Sequence, residues 1–178
     1  GGLVWISTEN SGELVHKSGE VVIPLGKFVE EVSLLPSPTS GILGNSNAQF
    51  IKFRIADQWG LKSFTGVTLV PAAYDDIQEY NHFIVLEQGG RLAVTNRNTV
   101  KNLVVDPSLL LDFQYEDVTL LDDDHLIAYT QNYEAVIDTT LQPVVPLGRY
   151  TVLRKVDHGA TPQWLLKTSE EQQVVQND

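Results

Sequence analysis

Three pairs of adjacent acids are the first residues in this chain that could do chemistry: Glu30-Glu31, Asp75-Asp76 and Glu116-Asp117. Two carboxyls held about 5 to 9.5 Å apart across one glycosidic bond can serve as acid and base in glycoside hydrolysis. Neighbouring residues of an extended strand point to opposite faces, however, so no pair can straddle a bond unaided. Each pair also follows an aromatic residue (Phe28, Tyr74, Tyr115) and precedes a β-branched one. A feature that recurs at equivalent places points to a structural duty, with one acid of each pair accepting hydrogen bonds from a turn or a strand edge.

The densest acidic cluster, Asp122-Asp123-Asp124-His125, offers oxygen ligands of the kind calcium takes. It lacks the alternating acids, the sharp-turn Gly and the distal Glu of an EF-type loop, and reads as a charged turn. His16, His82, His125 and His158 are isolated, with no pair at metal-binding spacing. There is no cysteine, which removes thiol nucleophiles, disulfides and thiolate-ligated metals. No Gly-x-Ser-x-Gly elbow is present, and Gly89-Gly90 lacks the strand-to-helix context of a phosphate cradle, so it reads as a hairpin turn. The residues therefore imply no catalytic group, no metal and no cofactor.

Binding residues are sought among aromatics and insertions. Trp5, Phe50, Phe53, Trp59, Phe83, Tyr129 and Tyr133 fall mostly within apolar runs, where core packing is the default. Trp164 lies in a less regular stretch and is the ring best placed to meet a ligand. The segment 33–48 is rich in Pro, Ser and Gly yet carries Leu34, Leu35, Ile42 and Leu43, the composition of a partner-binding loop. A second departure, 106–113, carries Leu109-Leu110-Leu111.

The elements that must position these residues follow from pattern. Of 178 residues, 42% are hydrophobic and 20% charged, the balance of a folded domain or a short array of repeats. Twelve basic against 23 acidic residues give a net charge of −11, which repels a phosphate backbone and argues against nucleic acid as a partner. No apolar run approaches the roughly 20 residues that span a bilayer, so no transmembrane segment is expected. Methionine is absent, so a processed or trimmed product with a segment ahead of Gly1 is expected.

Val22-Ile23-Pro24-Leu25-Gly26-Lys27-Phe28 returns 122 positions later as Val144-Val145-Pro146-Leu147-Gly148-Arg149-Tyr150, with four identities and three like-for-like replacements. Leu69-Val70-Pro71 and, more distantly, Val104-Val105-Asp106-Pro107 lie between, so the spacing divides into three steps averaging about 41 residues. Apolar runs are dominated by β-branched residues, and none holds helical spacing for three turns. The expectation is an all-β fold of about four tandem antiparallel β-meander repeats, approximately 1–48, 49–81, 82–124 and 125–178, forming an open array or a propeller-like ring.

Gln58-Trp59-Gly60-Leu61, followed by Thr65-Gly66, Leu69-Val70-Pro71 and Tyr74-Asp75-Asp76-Ile77, resembles one full unit of the WG-type β-repeat family. The Gly12–Val15 and Val22–Pro24 segments, Gly89–Val94, and Tyr133–Asp138 with Val144–Pro146 match that template in part. The resemblance implies a non-catalytic binding or scaffold module of a bacterial protein, engaging a protein partner or a surface polymer, with an extracytoplasmic location. The rival expectation is a glycan-binding or glycan-cleaving domain that uses acids from different repeats.

Overall fold

The computed structural model describes residues 3–7, 12–23, 29–35, 50–102, 112–158, 161–167 and 172–176. Its strands, in chain order, are β1 (Leu3–Ser7), β2 (Gly12–His16), β3 (Val21–Ile23), β4 (Glu31–Leu35), β5 (Phe50–Ile55), β6 (Gln58–Lys62), β7 (Thr68–Tyr74), β8 (Asp76–Tyr80), β9 (Phe83–Gln88) and β10 (Arg91–Asn96). A short helix, the only one among the described residues, α1 (Arg97–Asn102), precedes β11 (Asp117–Leu120), β12 (His125–Thr130), β13 (Tyr133–Asp138), β14 (Pro143–Gly148), β15 (Thr151–His158), β16 (Thr161–Lys167) and β17 (Gln172–Gln176). The protein is all-β, as its β-branched runs dictate.

The strands form five meander sheets among the described residues: β1-β2-β3, β4-β5-β6-β7, β8-β9-β10, β11-β12-β13-β14 and β15-β16-β17. Every pair of known register is antiparallel. The strand that closes each of the first three sequence units pairs forward, β4 with β5, β8 with β9 and β11 with β12. Sheet boundaries thus fall one strand ahead of the boundaries at 48, 81 and 124, and the stretch 125–178 contributes to two sheets.

The residue ahead of the recurring proline, Ile23, Val70 or Val145, holds one structural place. Leu14 lies opposite Ile23, Leu61 opposite Val70, and Val136 opposite Val145. The next pairs are Val15–Val21, Lys62–Thr68 and Ile137–Pro143, so Val22, Leu69 and Val144 are the extra residues of three equivalent bulges. Pro24 to Phe28 lie outside the described residues.

The chain divides into two compact units, the first comprising Gly1–Glu79, Leu86–Gln88 and Asn98–Leu110, the second Tyr80–Val85, Gly89–Arg97 and Leu111–Asp178. In the first, Leu14, Val29, Ile51 and Phe53 form a buried cluster flanked by Val32, Leu34, Ile55 and Ala72. The second holds two clusters. Phe83, Val85, Val118, Leu126, Ala128 and Ile137 form one; Ile127, Val136, Val145, Val152, Trp164 and Leu166 form the other. Because β12 sends Leu126 and Ala128 to one cluster and Ile127 to the other, both of its faces are covered, and its apolar run is unbroken for that reason.

No apolar run holds helical spacing for three turns, yet Arg97–Asn102 forms a short helix. Val100 is the buried residue among the described side chains of this helix, and Lys101 in its last turn meets the negative end of the helix dipole. The Asn96 side chain donates to the Thr139 carbonyl at 3.0 Å and Arg97 to the Asn81 carbonyl at 3.2 Å. Those side-chain bonds hold the helix start in place, and no periodic pattern announces them.

Candidate binding cleft

Trp164, the ring expected to face a ligand, is fully buried in the second cluster of its unit. It stands in the middle strand of its sheet, opposite Lys155 and Val175, with the His125 ring edge-on at 4.8 Å. The exposed-ring expectation gives way to core packing, since Trp164 lies on the face of its strand that packs with Ile127, Val136 and Val145. Leu34 is half-buried against the Leu14–Phe53 cluster. Leu35 closes β4, and its side chain, like the whole of Ile42 and Leu43, lies outside the described residues.

The acid pairs share a register. The Glu30 amide donates to the Arg54 carbonyl, Asp75 to Glu87 and Glu116 to Tyr129, at 2.8 to 2.9 Å, so each pair begins the first strand of its sheet. Asp76 accepts from the Ile77 amide at 2.7 Å and Asp117 from the Val118 amide at 2.8 Å. Glu30 clamps the Ala56-Asp57 turn, accepting both amides at 3.1 and 3.2 Å. That turn places both residues at positive φ, 51° and 60°, a conformation L side chains resist. The pairs are completed by cations: Lys52 on Asp76 at 2.5 Å, Arg54 on Glu30 and Glu31, and Arg91 on Glu116 at 3.0 Å. Burial pushes the Asp76 carboxyl up, but the bonds from Lys52, Gln78 and the Ile77 amide outweigh it and hold the group below the usual carboxylate range.

The Trp59-Gly60 pair is explained by the same sheet. Lys52 Nζ lies 4.1 Å over the Trp59 ring and the Arg54 guanidinium 5.5 Å, so the indole sits among cations. An added β-carbon on Gly60 would stand 2.7 Å from the Val70 carbonyl oxygen, 2.8 Å from the Ala72 nitrogen and 2.8 Å from the Phe53 ring. The bulge that carries Pro71 presses the β7 backbone onto this position.

Asp122 closes its own turn, accepting from the Asp124 amide at 2.9 Å and lying 2.7 Å from His125 Nδ1, while Asp123 accepts from Asn81 at 3.1 Å. Among the described residues no group of three or more His, Asp or Glu could hold a metal ion.

A different place carries binding chemistry. In the second unit, the β12–β13 hairpin, the β14–β15 connection and the end of β16 enclose a cleft of about 700 Å³, lined by Tyr129 to Glu134, Arg149 to Thr151 and Lys167. Tyr133 is 37% exposed there. The Arg149 guanidinium lies 5.4 Å over the Tyr133 ring, and its Nε donates to the Tyr133 hydroxyl at 3.1 Å. Glu134, the only carboxylate among the described lining residues, accepts from the Val152 amide at 2.8 Å. Gly148 leaves room for the Tyr150 ring, which an added β-carbon would meet at 2.3 Å. The Tyr150 hydroxyl is buried with no hydrogen-bond partner, and burial together with the Glu134 charge pushes its pKa up to about 12.

Composition and periodicity miss these residues, but a signal exists. Phe28, Tyr74 and Tyr115 are each followed by two acids within three residues, whereas Tyr150 is followed by Thr151 and Val152. The unit that lacks its acid pair is the one where cations line an open cleft.

No protein-family model matches the chain, and no curated protein does. Three solved structures align with it at 12% identity: KlHsv2 with loop 6CD replaced by a Gly-Ser linker, Kluyvelomyces marxianus Hsv2, and the WD40 β-propeller domain of Doa1. They cover 99%, 91% and 97% of this chain, and 59%, 68% and 63% of their own, with TM-scores of 0.39, 0.32 and 0.30. The chain therefore spans 59% of the first of them, and at such scores the likeness adds nothing to what the sheets themselves show.

Proposed function

We propose that this chain is a non-catalytic β-repeat binding module of WG type that engages a protein partner through the cleft bounded by Tyr133, Arg149 and Lys167. The observation that carries the reading is a contrast in how charges are used. The acid pairs that invite an enzymatic reading are held by turn amides, strand amides and cations, whereas the cleft presents an exposed ring and two cations with no ion pair among the described residues. Glycan cleavage needs two carboxyls at one bond, and the cleft offers one. A glycan platform needs aligned exposed rings, and Tyr133 is the exposed one here.

The test is selection of peptides from a displayed random library on the immobilised chain, followed by comparison with Tyr133→Ala. Loss of the contact ring is expected to weaken retained peptides about tenfold, as truncation of an interface aromatic does. Peptides that hold to Tyr133→Ala as well as to the parent chain would remove the cleft from the reading.

A further inference from the structure

We infer that the cleft is a receptor for an extended acidic peptide, whose side-chain carboxylates seat between Arg149 and Lys167 while its backbone lies along Tyr133. The inference rests on the binding-module reading and adds the chemistry of the ligand.

Charge in this chain is overwhelmingly negative, and cations near acids are used up. Lys52 sits on Asp76, Arg54 on Glu30 and Glu31, and Arg91 on Glu116. Lys62 is committed to the Gly66 carbonyl and the Thr68 hydroxyl. Arg149 and Lys167 differ. Arg149 spends one nitrogen on the Tyr133 hydroxyl, leaving its two terminal amino groups, the fork that grips a carboxylate, without a partner among the described residues. Lys167 is exposed, and its side chain makes no bond among the described residues. The titratable groups facing them are Tyr129, Tyr133, Tyr150 and Glu134. By formal charge, Arg149 and Lys167 against Glu134 leave the described lining at +1, inside a protein of −11. Glu134 Oε2 is already committed to the Val152 amide, which leaves it a poor competitor for the guanidinium fork.

The remaining lining suits a peptide rather than a bare ion. Thr130, Gln131, Asn132 and Thr151 supply donors and acceptors for amides, and Tyr133 supplies a flat contact. The buried Tyr150 hydroxyl is a further donor that nothing among the described residues satisfies. A volume of about 700 Å³ exceeds what one phosphate or acetate fills and falls within the range of pockets that take drug-sized ligands.

The experiment uses the full chain with fluorescein-labelled hexaglutamate and hexaglutamine, read by anisotropy in low salt, with amide shifts followed by NMR. Hexaglutamate is expected to bind, to shift the amides of Tyr133, Arg149 and Lys167, and to weaken about tenfold or more in Lys167→Gln and further in Arg149→Gln with Lys167→Gln. Raising the salt concentration should weaken it as well. The Lys167 side chain makes no hydrogen bond or ion pair among the described residues and its strand pairing is through the backbone, so its single variant separates loss of binding from loss of structure. Equal binding of hexaglutamine, shifts confined to other residues, no binding at all, or displacement by inorganic phosphate at concentrations equal to those of the peptide would each overturn the inference. If library peptides depend on Tyr133 while hexaglutamate fails, the acidic ligand falls and the binding module stands. If no library peptide depends on Tyr133, the module reading falls.

Discussion

The Val152 amide donates to the Glu134 carboxylate at 2.8 Å, and this bond replaces one made differently elsewhere in the chain. Ile77, Val118 and Val152 are each the second residue of the first strand of their sheet, and each is buried. For Ile77 and Val118 the preceding aspartate accepts the amide. Thr151 occupies that place before Val152, and the carboxylate comes instead from β13. Glu134→Ala is expected to leave the amide unpaired at a cost of about 1–3 kcal/mol, whereas Glu134→Gln keeps an acceptor and loses less. Urea unfolding of the two variants measures the difference, and equal losses would contradict the role assigned to the bond.

Gly60→Ala forces a β-carbon against two backbone atoms of β7 and the Phe53 ring. Backbone cannot swing aside as a side chain can, so a loss of about 1–3 kcal/mol is expected. Gly19→Ala is the contrasting case: nothing lies within 4 Å, and only its φ of 87° opposes the change, worth about 1–2 kcal/mol. Phe53→Leu combined with Gly60→Ala should recover only a small part of the loss, because the Val70 and Ala72 backbone remains in the way.

Acid should destabilise the chain partly through Asp76 and Asp138. Burial raises both carboxyls, but for Asp76 the Lys52, Gln78 and Ile77 bonds, and for Asp138 the Thr140 and Gln142 bonds, depress them on balance. A depressed folded value means the contribution is complete above the unfolded value of about 3.9 and is lost as pH falls through the folded one. Asp76→Asn is expected to lower stability at pH 7 and to flatten its decline as the pH falls below about 4. A denaturation series across that window reads both effects.

Alkali should act through Tyr150. With a folded value of about 12 against about 10 unfolded, its contribution is intact below pH 10 and is lost as pH climbs toward 12. Absorbance at 295 nm should show a phenol titrating late, absent in Tyr150→Phe. Because the buried hydroxyl has no partner, Tyr150→Phe should be neutral or mildly stabilising at pH 7. A clear destabilisation would show that the hydroxyl is bonded.

Much of the fold is legible in the chain. β-branched runs announce strands, and the recurrence of Val22-Ile23-Pro24 as Val144-Val145-Pro146 marks one bulge register, because an apolar pair must face inward on either side of an inserted residue. The phase of the units is not legible, since whether β4 or β8 pairs backward or forward depends on contacts far along the chain. Residue type likewise cannot place Trp164, as an indole suits a core and a ligand platform equally, and only its position in a middle strand decides. The cleft was within reach of the sequence through the acids missing after Tyr150, but a missing pair has meaning only once the pairs are known to bind cations and amides.

Pro71 and Pro146 lie in the outermost strands of the two four-stranded sheets, both exposed and both beside a break in register. A foreign strand approaching either border finds an amide missing and a kinked outline, and cannot lay down a continuous ladder. Each of these two borders is thereby a poor template for adding a further strand.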